Sequence, residues 1–386
     1  MAASDLPDTS AFKEALRLAR AGQTAEAEEF ANHAIYQAEM KFGPASPQYA
    51  AAYYDLGRLL SFLGQDNLAV DAYCKASDLE FPGNKQATRD RLSYLIDLGQ
   101  TLAWLGRLDE AEEVLRRALD GRREFYGRDH SGYAFGLEPL AAVLARKGDA
   151  AEALKLISGA VRIFWKNQHA RVASALIQRA YILHAAGNPT PPFTGLDGLS
   201  DRLVEETARE AVHAVSEADP AISRRILGDL IGLVVARLGE SHLQSVNLLI
   251  AQSNVERNLG NAEAWADAVR RVLAIHDRLG QSAEALQAVQ GLAAALSSAG
   301  KNEEAEVAYR DGVARAEKLR EPAAQAQAAR NFALYLAETG RRGEAEPLLR
   351  DALRHAEAAG IPEEVARRQI ELDIFLHHGG ELDAAP

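Results

Sequence analysis

Residues 98–130 read LGQTLAWLGRLDEAEEVLRRALDGRREFYGRDH, and this stretch decides the fold. LGQTLAWLG is apolar at helical spacing up to Gly106. Glycine suits the turn that follows, because it accepts a left-handed backbone without steric cost. Glu110-Ala111-Glu112 then opens a second helix, where carboxylates favour the positive end of the helix dipole. Ala111 and Ala118 lie a helical heptad apart and share one face, so a neighbouring helix can approach closely. Gly127-Arg128-Asp129-His130 closes the segment. The stretch is a helix, a glycine turn and a helix.

Working outward, the same unit recurs. Glycine stands at Gly22, Gly64, Gly106 and Gly148, in steps of 42, and again at Gly260, Gly280, Gly300, Gly340 and Gly360, in steps of 20 or 40. Glu-Ala-Glu recurs as Glu26-Ala27-Glu28, Glu304-Ala305-Glu306 and Glu344-Ala345-Glu346, with Glu152-Ala153 keeping part of it. Small residues follow those alanines at Ala34, Ala160, Gly312 and Ala352, and the second repeat shows Ala69 and Ala76. A small residue also precedes the turn by seven at Gly57, Gly99, Ala141 and Ala333. Such periodicity marks an array of stacked helix pairs. Pairs are expected at 10–41, 47–81, 85–126 and 130–166, with a further first helix at 169–186. Residues 187–200, GNPTPPFTGLDGLS, hold too much proline and glycine for a helix. Helices are expected again at 200–217 and 220–238, pairs at 242–279, 282–320 and 322–359, and a closing helix at 362–378. This organises the chain as an N-terminal block over 1–186, an insertion or hinge over 187–200, and a C-terminal block over 201–386. Whether 200–217 completes the pair begun at 169–186 or opens a new one is left open by the pattern.

These residues resemble tetratricopeptide repeats, in particular the long kind of kinesin light chains, which joins successive repeats by a G-x-x-H connector. The connector reads Gly127-Arg128-Asp129-His130, Gly239-Glu240-Ser241-His242 and, with serine for histidine, Gly43-Pro44-Ala45-Ser46. The resemblance implies an all-α, right-handed superhelical solenoid of antiparallel helix pairs, about nine repeats in all. It also implies that the first helix of each pair lines a concave groove that holds an extended peptide or a partner helix. Family register places groove positions at thirteen, ten, nine, six, three and two residues before the turn glycine. That selects Tyr54, Asp55, Arg58 and Phe62 in the second repeat, Asp97, Gln100 and Trp104 in the third, and Gln178, Tyr181 and His184 in the fifth. Later repeats give Asn247, Asn254, Gln287, Gln290, Gln327, Arg330 and Asn331. Related repeats carry asparagine pairs that bind peptide backbone. Asn331 keeps that residue, Asp55, Asp97 and Gln178 replace it, and Pro139, Ala251 and Gly291 depart from it. Amides meet both backbone donors and acceptors, whereas aspartate only accepts. The N-terminal half is therefore expected to favour a basic or amide-rich segment, and the C-terminal half to be amide-rich and more neutral.

Composition agrees and excludes other classes. The chain is 47% hydrophobic but only 6% aromatic, and its net charge of −12 disfavours nucleic acid. Cys74 is the single cysteine, so no internal disulfide forms. The N-terminus MAASDLPDTS has no apolar core of a targeting segment and no apolar run spans a membrane, so a cytoplasmic protein is expected, and the repeat variety it resembles is common in bacterial proteins. No phosphate loop, G-x-S-x-G or H-E-x-x-H occurs, so no catalytic residue, metal ligand or cofactor is assigned and the chain is expected not to be an enzyme. His130, His169 and His242 follow the repeat and are expected to cap helices, and His377-His378 is a poor metal pair because adjacent helix residues diverge. The expected function is a protein–protein interaction scaffold. The alternative is a peptide-responsive regulator whose solenoid changes curvature. Self-association through end helices is a further expectation, with IELDIFLHH as the candidate contact.

Overall fold

A computed structural model of the chain describes residues 10–191, 193 and 198–377. All its regular structure is α-helical, with no strand among the described residues. Eight helices form the first four pairs: α1 (Ser10–Arg20) with α2 (Thr24–Phe42), α3 (Pro47–Phe62) with α4 (Asp66–Ser77), α5 (Lys85–Trp104) with α6 (Leu108–Tyr126), and α7 (Ser131–Lys147) with α8 (Ala150–Lys166). Then come α9 (Val172–Ala185), α10 (Asp201–Glu217) and α11 (Pro220–Leu238). Three regular pairs follow: α12 (Leu243–Asn258) with α13 (Ala262–Leu279), α14 (Ser282–Ser298) with α15 (Asn302–Leu319), and α16 (Pro322–Glu338) with α17 (Arg342–Ala359). The last described helix is α18 (Pro362–His377).

The G-x-x-H connectors act as paired caps. Gly43, Gly127 and Gly239 end their helices with φ of 80 to 90°. Ser46, His130 and His242 then begin the next helices as N-caps, accepting from the backbone N–H groups of Tyr49, Gly132 and Gln244. Each cap satisfies a donor that the helix itself leaves open. α4 stops at Ser77, short of the expected 81. Pro82 disfavours helical backbone at the residue before it, and Asn84 already caps α5.

Small residues set the spacing between helices. The signature alanines Ala27, Ala69, Ala111, Ala153, Ala305 and Ala345 are all fully buried. A Cβ on Gly99 would stand 2.5 Å from Leu115 Cγ, so α5 and α6 approach more closely than any side chain there permits. Ala34 departs from the pattern and is only half-buried. α1 has eleven residues, shorter than the other first helices, and Ala34 lines a cleft beside its first turn.

The chain divides into two compact units, Met1–Leu203 and Val204–Pro386. In the first, α1, α3, α5, α7 and α9 touch one another in succession, while the second helices pack against them. In the second, α14 touches α16 directly. The connector before α12 marks it as a first helix, so three helices, α9 to α11, stand between the fourth pair and the regular C-terminal pairs.

Candidate polypeptide-binding face

The first helices of unit Met1–Leu203 gather several of the expected residues. Tyr54 is 3% exposed, with its ring stacked 4.4 Å from that of Tyr94. Its hydroxyl donates to Asp97 Oδ2 at 2.5 Å, one repeat away. Tyr54 therefore joins two repeats from within the packing, and Asp97 spends part of its acceptor capacity on it. Asp55 is 8% exposed and lines a cleft of about 390 Å³ with Phe12, Ala34, Lys41 and Phe42. The Arg58 guanidinium lies 3.8 Å over the Phe12 ring, a cation–π contact that helps seat α1 on α3. Phe62 is exposed at the end of α3.

A second cleft, about 250 Å³, lies where α5, α7 and α9 meet. Gln100 and Trp104 come from α5, Pro139 and Arg146 from α7, and Gln178 from α9. Trp104 is 79% exposed. Gln178 Nε2 donates to the Glu138 carbonyl at 2.8 Å, which fixes its amide at the cleft wall. Arg171 Nε donates to Glu138 Oε2 at 2.9 Å, pairing a carboxylate that is otherwise buried. Arg146 Nη1 donates to the Ala103 carbonyl, laying its guanidinium across the end of α5. Tyr181 and His184 are half-buried on α9 and are not part of this cleft.

Sequence reading missed Arg146 and Arg171. Arg146 stands two residues before Gly148, as Phe62 does before Gly64 and Trp104 before Gly106, so the same register applied to the fourth repeat finds it. Arg171 lies in the connector, outside the register, and only its contact with Glu138 reveals it. With Asp55 and Arg58 on α3, Asp97 on α5, Arg146 on α7 and Arg171 just before α9, the first helices carry both signs of charge.

In unit Val204–Pro386 the amides bond to one another. Asn331 Nδ2 donates to Gln290 Oε1 at 3.3 Å, and Gln327 Nε2 donates to Asn331 Oδ1 at 2.8 Å. Arg368 Nη2 donates to Gln327 Oε1 at 3.0 Å, and Arg330 Nε to Glu371 Oε1 at 2.8 Å. This ladder crosses α14, α16 and α18. Arg368 is itself buried and is neutralised by Glu364 and Glu371. Gln290, Gln327, Arg330 and Asn331 thus stand together, whereas Asn254 and Gln287 are exposed and Asn247 half-buried on α12 and α14 without joining it.

The connector histidines have structural employment. Nδ1 accepts a backbone N–H in His130, His169 and His242, at 2.9, 3.1 and 3.2 Å, which places the ring proton on Nε2. Among the described residues no group of three or more His, Cys, Asp or Glu side chains is placed to hold a metal ion. Cys74 is half-buried, and burial pushes its thiol pKa up, away from reactivity. His378 lies outside the described residues. No described helix is long and apolar enough to cross a membrane.

Residues 12–79 and 91–132 each match a family model of the tetratricopeptide repeat. The sequence has no match among curated proteins. Similar solved structures include a putative kinesin light chain from Podosopora anserina with nearly identical TPR-like repeats, at 20% identity and TM-score 0.40, covering 54% of this chain and 96% of that one. The apo form of RapI is similar at 12% identity and TM-score 0.43, covering 70% of this chain and 98% of that one. A Rap protein complexed with competence and sporulation factor is similar at 15% identity and TM-score 0.33, covering 96% and 98%.

Proposed function

We propose that this chain, a tetratricopeptide-repeat protein whose repeats resemble the kinesin-light-chain kind, is a scaffold that holds an extended polypeptide segment along its first helices. Trp104 carries the proposal. A tryptophan 79% exposed beside a cleft built by three successive first helices offers a large, rigid anchor of the kind that dominates binding interfaces. Gln100 and Gln178 border the same cleft and present amides suited to a peptide backbone, and Pro139 adds a rigid apolar wall. Charge selection is not part of the proposal, because arginines and aspartates share the face. The recognition is aromatic and amide in character, with the segment laid across α5, α7 and α9.

The test uses peptides selected from a displayed random library against the intact chain, followed by calorimetric titration. Replacing Trp104 with alanine should weaken the selected peptides roughly tenfold or more, since a buried aromatic anchor dominates such interfaces. Replacing Gln100 and Gln178 together should weaken them further, with helicity by circular dichroism unchanged. Affinities that survive all three substitutions contradict the proposed site.

A further inference from the structure

The second helices carry a cleft of their own. In unit Val204–Pro386 an open cleft of about 530 Å³ lies between α13 and α15, with α14 beneath it. Its floor is apolar, formed by Val289, Leu292 and Leu296, all buried. Leu273 and Val307 form the walls, and Val307 is 68% exposed. The rim is charged. Arg270 pairs with Asp267 at 2.6 Å and reaches Glu304 at 3.6 Å, Arg315 pairs with Asp311 at 2.8 Å, and the exposed Glu303 stands beside them.

The repeat supplies its own comparison. Forty residues on, Phe332 stands where Leu292 does, Leu348 stands for Ala308, and Arg310 stands for Arg270. There Arg310 lies 5.3 Å over the Phe332 ring, and Tyr309 stacks with that ring at 6.0 Å. One repeat fills the position with a ring under a guanidinium. The other has the guanidinium, smaller side chains and an open cleft.

We propose that the cleft between α13 and α15 receives an aromatic side chain from a partner polypeptide whose flanking residues are lysine or arginine. The ring takes the place that Phe332 holds one repeat later, beneath Arg270, where cation–π attraction adds to apolar burial. The exposed Glu303 at the rim selects the basic flanks. The charge of the chain argues for such a partner over a second copy, because two chains of net charge −12 repel. This surface belongs to the second helices and is separate from the face around Trp104.

The test is an anisotropy titration of the intact chain with a labelled, alanine-based helical peptide bearing one tryptophan flanked by lysines. Two control peptides replace the tryptophan with alanine or the lysines with glutamate. The double substitution Leu292→Phe with Ala308→Leu fills the cleft with residues the next repeat already accommodates. It should lower affinity roughly tenfold or more, as should either change in the peptide. Glu303→Lys, on an exposed side chain that burdens no packing, should weaken the lysine-flanked peptide, and Trp104→Ala should leave it unchanged. The proposal is overturned if the intact chain does not bind the peptide at millimolar concentration. It is also overturned if filling the cleft and Glu303→Lys both leave binding intact, or if Trp104→Ala abolishes it. Sedimentation showing a dimer that cleft filling dissociates would assign the cleft to a second copy and overturn it as well.

Discussion

Arg320 sits where the repeat calls for glycine. Gly280 and Gly360, forty residues to either side, end α13 and α17 with φ of 69°, and Arg320 ends α15 with φ of 57°. A side chain pays a steric cost there that glycine avoids. Arg320→Gly should therefore stabilise the chain by about 0.5–1 kcal/mol, the gain being partly offset by the greater freedom of glycine in the unfolded state. A urea denaturation curve checks it, and a lower midpoint contradicts it. The same residue scale shows where sequence reading stops. Tyr54 and Asp97 both fall on groove positions by register, ten and nine residues before their glycines. Register assigns each a direction on its own helix but says nothing of the neighbour. In the structure the two meet across the repeat interface, because a first helix touches the next first helix along that edge. Trp104, at the end of α5 and beyond that edge, is exposed.

At the scale of the element, helix limits were legible because their chemistry is local. Glycine connectors and N-cap residues lie within four positions of the backbone groups they serve, so the connector histidines His130 and His242 could be read as caps directly, and Ser46 takes the same place before α3. Ties between helices were less legible. Arg116 pairs with Glu152 at 2.9 Å, Lys147 with Glu112 at 2.6 Å, Arg315 with Asp277 at 2.5 Å and Arg341 with Glu306 at 2.6 Å. These residues lie 35 to 38 positions apart, one repeat, and look in the sequence like ordinary solvated charge. Hydrogen bonds from the partner cations hold all four carboxyls below their usual pKa: Arg116 for Glu152, Lys147 for Glu112, Arg315 for Asp277 and Arg341 for Glu306. A carboxyl with a depressed folded pKa stabilises the fold above its unfolded pKa, about 4, and loses that contribution as pH falls through the lower folded value. Each exposed pair contributes little, so the effect rests on their number. The urea midpoint should drop as pH is lowered from about 7 to about 3, and the drop should shrink at about 1 M salt, where exposed charges are screened. A midpoint indifferent to pH over that range contradicts the role of these ties.

At the scale of the whole molecule, the repeat made the fold readable and left the middle ambiguous. Through residues 187–238 the glycine register lapses, and no local signal says which helix partners which. The connector at Gly239 restores the phase, and with it α12 to α17 fall into three regular pairs. The period also explains why the sequence offers one candidate surface and conceals the other. Groove positions are set by their distance from a glycine, so the register selects Gln100, Trp104 and Gln178, which all border one cleft. The cleft over α14 arises from a difference between repeats, Leu292 and Ala308 against Phe332 and Leu348, and emphasis on what recurs hides what does not. The central claim is that a polypeptide segment lies on the first helices around Trp104. Hydrogen exchange of the intact chain, with and without a library-selected peptide at saturation, tests it most directly. Slowed exchange on α5, α7 and α9, with α6 and α8 unaltered, is the predicted result. Slowed exchange confined to second helices, or none on α5, α7 and α9, contradicts it.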